Sequence, residues 1–206
     1  VSASISIWLK DILPRTPGIV RQVAKREFLN TAREFYRQSG AWREVVESVF
    51  FAGSDYQYTV VSENPDAEVI QVTSVEVNGI PLTAKTERPL GDRGDGTPTM
   101  WYPTGLDTIE IWPTPEQYDD EVRVRAILIP RDTATTLPDV AYAKHYEALL
   151  DGTLGRLYGH PAKPYSNPTL ATYHLNRFQN AMGQATAEQK QGGFAGQNWQ
   201  FPRFGK

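Results

Sequence analysis

The sequence predicts an α+β protein: a helical bundle formed by N- and C-terminal helices, an inserted antiparallel β-sandwich or barrel-like domain, and an extended C-terminal tail. Three observations predict it. Apolar residues recur at three- and four-residue steps near the start of the chain and again after residue 137, as on the buried stripe of a helix. Between them the period falls to two and β-branched residues dominate. Neither helical end offers enough apolar faces alone, so the two ends are expected to pack together around the insertion.

The expected divisions are 1–49 for the N-terminal helices, 50–136 for the β domain, 137–190 for the C-terminal helices and 191–206 for the tail. In the first, "SISIWLKDILPR" reads as a short amphipathic piece stopped by Pro14 and the "TPG" at 16–18. "IVRQVAKREFLNTAREFYRQSG" reads as a helix through Val20, Ala24, Phe28, Ala32 and Phe35, with Ser39-Gly40 as its stop. "AWREVVESVFF" follows that break.

In the β domain the strand candidates are "YQYTVVS" at 56–62, "EVIQVTSVEVNG" at 68–79, "DTIEIWP" at 107–113 and "EVRVRAILIP" at 121–130. Asn78-Gly79 between Val77 and Ile80 predicts a type I′ hairpin, since both residue types tolerate positive φ. In the C-terminal part, Pro138 suits a helix first turn, and Tyr142, Tyr146, Leu149, Leu150, Leu154 and Leu157 form a stripe. Gly152 and Gly155 each cost about 1 kcal/mol inside a helix, so they predict close approach of a neighbouring helix. Asn167-Pro168 reads as the cap and first turn of a last helix, whose stripe runs Leu170, His174, Phe178, Ala181, Met182, Ala185.

Composition bounds the function. The 206 residues are 40% hydrophobic and 22% charged, with a net charge of −3 that does not suit a tight nucleic-acid binder. With no cysteine, disulfides, thiolate metal sites and cysteine nucleophiles are excluded, as suits manufacture in a reducing cytoplasm. No apolar run reaches the roughly 20 residues of a membrane helix, and the N-terminus lacks the order of a signal peptide.

The three histidines, His145, His160 and His174, form no metal or catalytic motif, and no cofactor is expected. Asp92, Arg93 and Asp95 in "GDRGDGTP" lack the bidentate glutamate of a calcium loop, and read as an inter-strand loop. Trp101, Tyr102 and Trp112 fit either β packing or a sugar platform, and the second reading would make the β part a carbohydrate-binding module. A hydrolase using Asp95, Asp119 or Asp120 has no partner base at motif spacing. The cations of 21–43 interleave with Glu27, Glu34 and Glu44, which favours a solvated ion-pair surface. The tail "GGFAGQNWQFPRFGK" stands apart: Phe194, Trp199, Phe201 and Phe204, with Arg203 beside them, follow no period. Rings on a glycine-rich segment suit anchoring in the pockets of a partner.

The ordered set "EFYRQSGAWRE", "SDYQYTV", "VEVNGIPL", "GTPTMWYP", "IEIWPTP", "LPD" and "DGTLGRLYGHPAKPYSNP" resembles the head-to-tail adaptor (connector) proteins of tailed bacteriophages over about residues 8–190. The resemblance implies a non-catalytic virion protein of the neck, at the portal vertex, assembled in the host cytoplasm. It implies a ring, commonly of twelve copies, around the DNA channel, with double-stranded DNA passing through without sequence specificity. The partners implied are the portal protein, further copies of the chain and the next neck or tail protein. On this analogy the tail, with Phe194, Trp199, Phe201, Arg203 and Phe204, is the portal-docking arm, and Asp92, Arg93 and Asp95 lie in a tail-facing β loop. The alternatives are the carbohydrate-binding module above or a different neck or tail-tube protein of the same shape.

Overall fold

The computed structural model describes residues 2–50, 57–87, 94, 96–114 and 120–192. Over these the chain is α+β, with helices α1 (Ser6–Arg15), α2 (Arg21–Ser39), α3 (Asp139–Tyr158) and α4 (Pro168–Gly192) flanking most of the strands. Strands β1 (Ser2–Ser4) and β10 (Thr136–Pro138) pair antiparallel beside the helices. One four-stranded sheet has the order β2 (Arg43–Phe50), β9 (Asp120–Pro130), β4 (Ala67–Val77), β5 (Ile80–Pro81). A second has the order β3 (Gln57–Thr59), β8 (Thr108–Trp112), β7 (Met100–Pro103), β6 (Thr83–Ala84). The pairing is antiparallel throughout except for β6 and β7, which run parallel, so the second sheet is mixed where an antiparallel one is expected.

Local chemistry accounts for the ends of the elements. Gly40 takes a left-handed φ of 61° and its N–H returns to the Tyr36 carbonyl, closing α2 where Ser39-Gly40 predicts. Asn78 and Gly79, at φ 51° and 76°, form the β4–β5 turn, and Asn78 Oδ1 also accepts from the Glu121 N–H at 2.9 Å. Asn167 Oδ1 accepts from the Leu170 N–H at 3.1 Å, the cap expected for α4. Two ends differ from expectation. Pro14 does not stop α1 but lies in its last turn, where only one backbone bond is forfeited and the Thr16 N–H still reaches the Leu13 carbonyl. Pro138 sits one residue before α3, as its N-cap.

The helical expectation for residues up to 49 gives way at Arg43, where β2 begins. Val45, Val46, Val49 and Phe50 fit either period, and pairing with β9 from Arg43–Ile127 to Phe50–Asp120 decides for strand. One continuous core joins the layers, from Ile5 and Trp8 through Phe28, Phe35 and Tyr36 to Val75, Val124, Ile109 and Leu149. Three stripe members leave it: Val20, the α2 N-cap, is 61% exposed, Tyr142 is 53% exposed and Leu170 is 40% exposed.

The helices meet closely at the two glycines. A Cβ on Gly152 would stand 2.5 Å from Thr31 Cγ2 and 2.6 Å from Phe178 Cδ2. One on Gly155 would stand 2.7 Å from Leu175 Cγ. Both positions therefore admit a neighbouring helix, as the sequence predicts: α4 at both, and α2 as well at Gly152.

Candidate functional site

The residues singled out in the tail (Phe194, Trp199, Phe201, Arg203 and Phe204) and in the loop (Asp92, Arg93 and Asp95) lie outside the described residues. So does Asp119, while Asp120 opens β9. Burial tells against the platform reading: Trp101 and Tyr102, on opposite faces of β7, are each 3% exposed, with Trp101 in the core, and Trp112 is half-buried. No cluster of metal-ligating side chains occurs among the described residues, and no described helix is long and apolar enough to cross a membrane.

Three arrangements remain. The first is buried and polar, between α3 and α4. Asp151, with its side chain 5% exposed, takes His174 Nδ1 at 2.7 Å on one oxygen and Arg177 Nε at 3.1 Å on the other. Asp151 in turn is the main reason the Arg177 pKa is raised. The rings of Tyr158 and Tyr173 flank His174 at 5.6 and 5.2 Å. This carboxylate has both oxygens committed, so its work is to join two helices. The sequence reading places His174 on the apolar stripe; Asp151, one turn-and-face away on α3, is the partner it misses.

The second is a trough between α2 and the strands, about 650 Å³, walled by Arg33 and Arg37 on one side and by Val61 and Leu106 on the other. Arg33 donates to the Pro130 carbonyl and Glu68 Oε1, both at 2.7 Å, and pairs with Asp132 at 3.2 Å. Arg37 is exposed and has no ion pair among the described residues. Arg156 of α3 pairs with Glu34 beside it. Of the expected glutamates, only Glu27 pairs with a cation of 21–43, Arg26, among the described residues, while Arg33 takes Glu68 and Asp132, partners that sequence proximity does not reveal. Glu44 instead accepts from the Ser62 hydroxyl at 2.8 Å.

The third is an aromatic patch on α1 and α3. Trp8, fully buried, stacks on Tyr146 at 5.4 Å and meets Tyr142 edge-on at 6.2 Å. The Tyr146 hydroxyl donates to Asp11; burial first, and then that carboxylate, pushes its pKa up. A knot of backbone and carboxylate bonds anchors the nearby β1–β10 pair. Asp66 accepts from the Thr136 hydroxyl at 2.6 Å, the Thr136 N–H at 2.9 Å and the Thr135 hydroxyl at 3.1 Å. Burial raises its pKa, but these bonds together outweigh it and hold the carboxyl below its ordinary range.

An open trough beside α2 and a half-exposed aromatic patch are thus surface features, and the buried polar cluster joins two helices. The family comparison supplies the class of protein. The family model for the SU10 adaptor protein matches residues 1–198, nearly the whole chain, and the chain belongs to that family of tailed-phage head-to-tail adaptors. It is a structural adaptor component of a phage virion. No curated protein matches the chain.

Proposed function

We propose that the protein assembles as a ring beneath the portal, joins the DNA-filled capsid to the tail and lines the channel through which DNA leaves. The observation that carries this reading is the adaptor family match over residues 1–198, which includes all four helices and both sheets. A net charge of −3 supports the channel role, because DNA that must slide should not be gripped by clustered cations. The helical part forms the ring body, with the β part, including Asp92, Arg93 and Asp95, turned outward or toward the tail. Residues 193–206 follow α4 directly and serve as the portal-docking arm, with Phe194, Trp199, Phe201 and Phe204 as anchors. The twelvefold count rests on the family analogy alone.

Truncation tests the arm. Deleting residues 193–206 is expected to leave the circular dichroism spectrum and melting temperature unchanged and to abolish capture by portal rings in a pull-down. Capture of the truncated chain at wild-type level would remove the arm from the mechanism. Electron microscopy of portal particles mixed with the full chain tests the ring itself, which is expected at one capsid vertex.

A further inference from the structure

A ring of more than two identical subunits needs two different, complementary faces on each copy, because the contact runs head to tail. The trough and the aromatic patch are such a pair. Trp8 packs on Phe28 at 5.1 Å, which places α1 and its patch on the Phe28 side of α2. Arg33 and Arg37 lie five and nine residues further on, turned by about 140° and about 180° around the helix. The patch and the trough therefore occupy opposite sides of α2 and share no residue.

Their chemistry matches. On the trough side, Arg33 is held in place by Pro130, Glu68 and Asp132, while Arg37 beside it lacks an ion pair among the described residues. Val61 and Leu106 opposite are 60% and 69% exposed, among the most exposed large apolar side chains described. On the patch side, Tyr142 is 53% exposed, yet its ring is fixed edge-on against Trp8 and Tyr146. Asp11 accepts from the Tyr146 hydroxyl, and Asp139 lies three residues, about one turn, before Tyr142 on α3. Lys10 and Arg15 are near Asp11 on α1, so the rings supply most of the contact and the carboxylates set its register. Tyrosine and arginine are the residues that dominate protein contacts, and prefixed side chains lose little freedom on docking.

We propose that the Arg33–Arg37 trough of one copy receives the Tyr142–Tyr146–Asp11 patch of the next copy. This rests on the ring reading above and adds the faces that close it. A closed ring of more than two copies requires this contact to be heterologous.

Because the sequence has no cysteine, single thiols can be placed cleanly. The full-length Arg37→Cys/Tyr142→Cys variant, assembled into rings visible by electron microscopy and mildly oxidised, is expected to give a ladder of covalent multimers on a denaturing gel. Either single variant alone should remain monomeric there, and their equimolar mixture should stop at dimers. In parallel, Arg37→Glu is expected to lower ring yield at least tenfold, and adding Asp11→Arg in the same chain to restore it. Covalent dimers from a single variant overturn the proposal, since they would mean like faces meet. So do rings that give no ladder and tolerate Arg37→Glu; that result leaves the ring itself standing. Absence of rings from the wild-type chain on portal particles removes the ring reading, and this contact with it.

Discussion

Tyr36 is fully buried against Phe35 and Trp42, and its hydroxyl finds no hydrogen-bond partner among the described residues. Burial alone drives its pKa far up, so the group is never ionised in the folded state. An orphaned buried hydroxyl opposes folding, while the ring itself packs like phenylalanine. Tyr36→Phe is therefore expected to hold stability or raise it by up to about 1 kcal/mol in urea melts. A loss of that size would reveal a bound water serving the hydroxyl. His145, 8% exposed and packed 4.9 Å from the Phe35 ring, tells a related story through pH. Burial lowers its pKa, Glu188 partly offsets this, and Lys144 adds to the lowering. The unfolded chain takes up a proton near 6.5 that the folded chain refuses, so stability is complete above that pH and declines as pH falls below it. His145→Gln is expected to flatten the fall in melting temperature between about pH 7 and pH 5.5, even if it lowers the melting temperature throughout. An unchanged slope would assign that acid sensitivity to other groups.

At the scale of elements, the α3–α4 contact makes opposite predictions for two glycines. Alanine at Gly155 gains about 1 kcal/mol of helix propensity but drives its Cβ to 2.7 Å from Leu175 Cγ and 3.1 Å from the Leu175 backbone nitrogen. Overpacking of that kind costs about 1–3 kcal/mol, and backbone cannot swing aside, so Gly155→Ala is expected to destabilise. Gly183 on α4 is exposed and an added Cβ meets nothing within 4 Å, so Gly183→Ala is expected to stabilise by about 0.5–1 kcal/mol. Denaturant midpoints of the two variants moving the same way would contradict the packing described. Gly152 and Gly155 are also where the sequence is most readable, since a glycine inside a strong helical pattern needs a tertiary reason. The Asn78-Gly79 turn is readable for the same kind of reason, a φ that few residues adopt. The strand at Arg43–Phe50 is not, because its spacing of valines satisfies two periods until β9 is there to pair with it. Three-residue strands such as β1 carry too few side chains to show a period at all. The trough and the aromatic patch are hidden for another reason: Asp11 and Tyr146 are 135 residues apart, and Arg33 meets Glu68 and Asp132 only after the chain has folded. The tail is the reverse case: its rings are evident in composition alone, and their anchoring is the proposal made above.

For the molecule as a whole, the important feature is that helices and sheets share one core. Trp42 leaves α2 and packs on Tyr36, and the next residue starts β2. Gly40 at the end of α2 lets Ile127 of β9 approach to 3.3 Å of where its Cβ would be. Arg33 ties α2 to the end of β9 through the Pro130 carbonyl. A β part that began cleanly at residue 50 would lack strand β2 at the edge of its larger sheet and would expose the apolar side of β9 that α2 covers. An excised fragment of residues 50–136 is therefore expected to remain unfolded by circular dichroism, although its sequence reads as an inserted domain. The complete chain should correspondingly unfold in one step, because losing either layer strips the other of its buried face. The tryptophans make this measurable: Trp8 lies among the helices, Trp42 at the junction and Trp101 in the second sheet. Fluorescence from single-tryptophan variants and the helical signal at 222 nm are expected to share one denaturant midpoint. If Trp101 reported an earlier transition than Trp8, the shared core would be two cores in contact, and the β part would then move as a unit of its own against the helices.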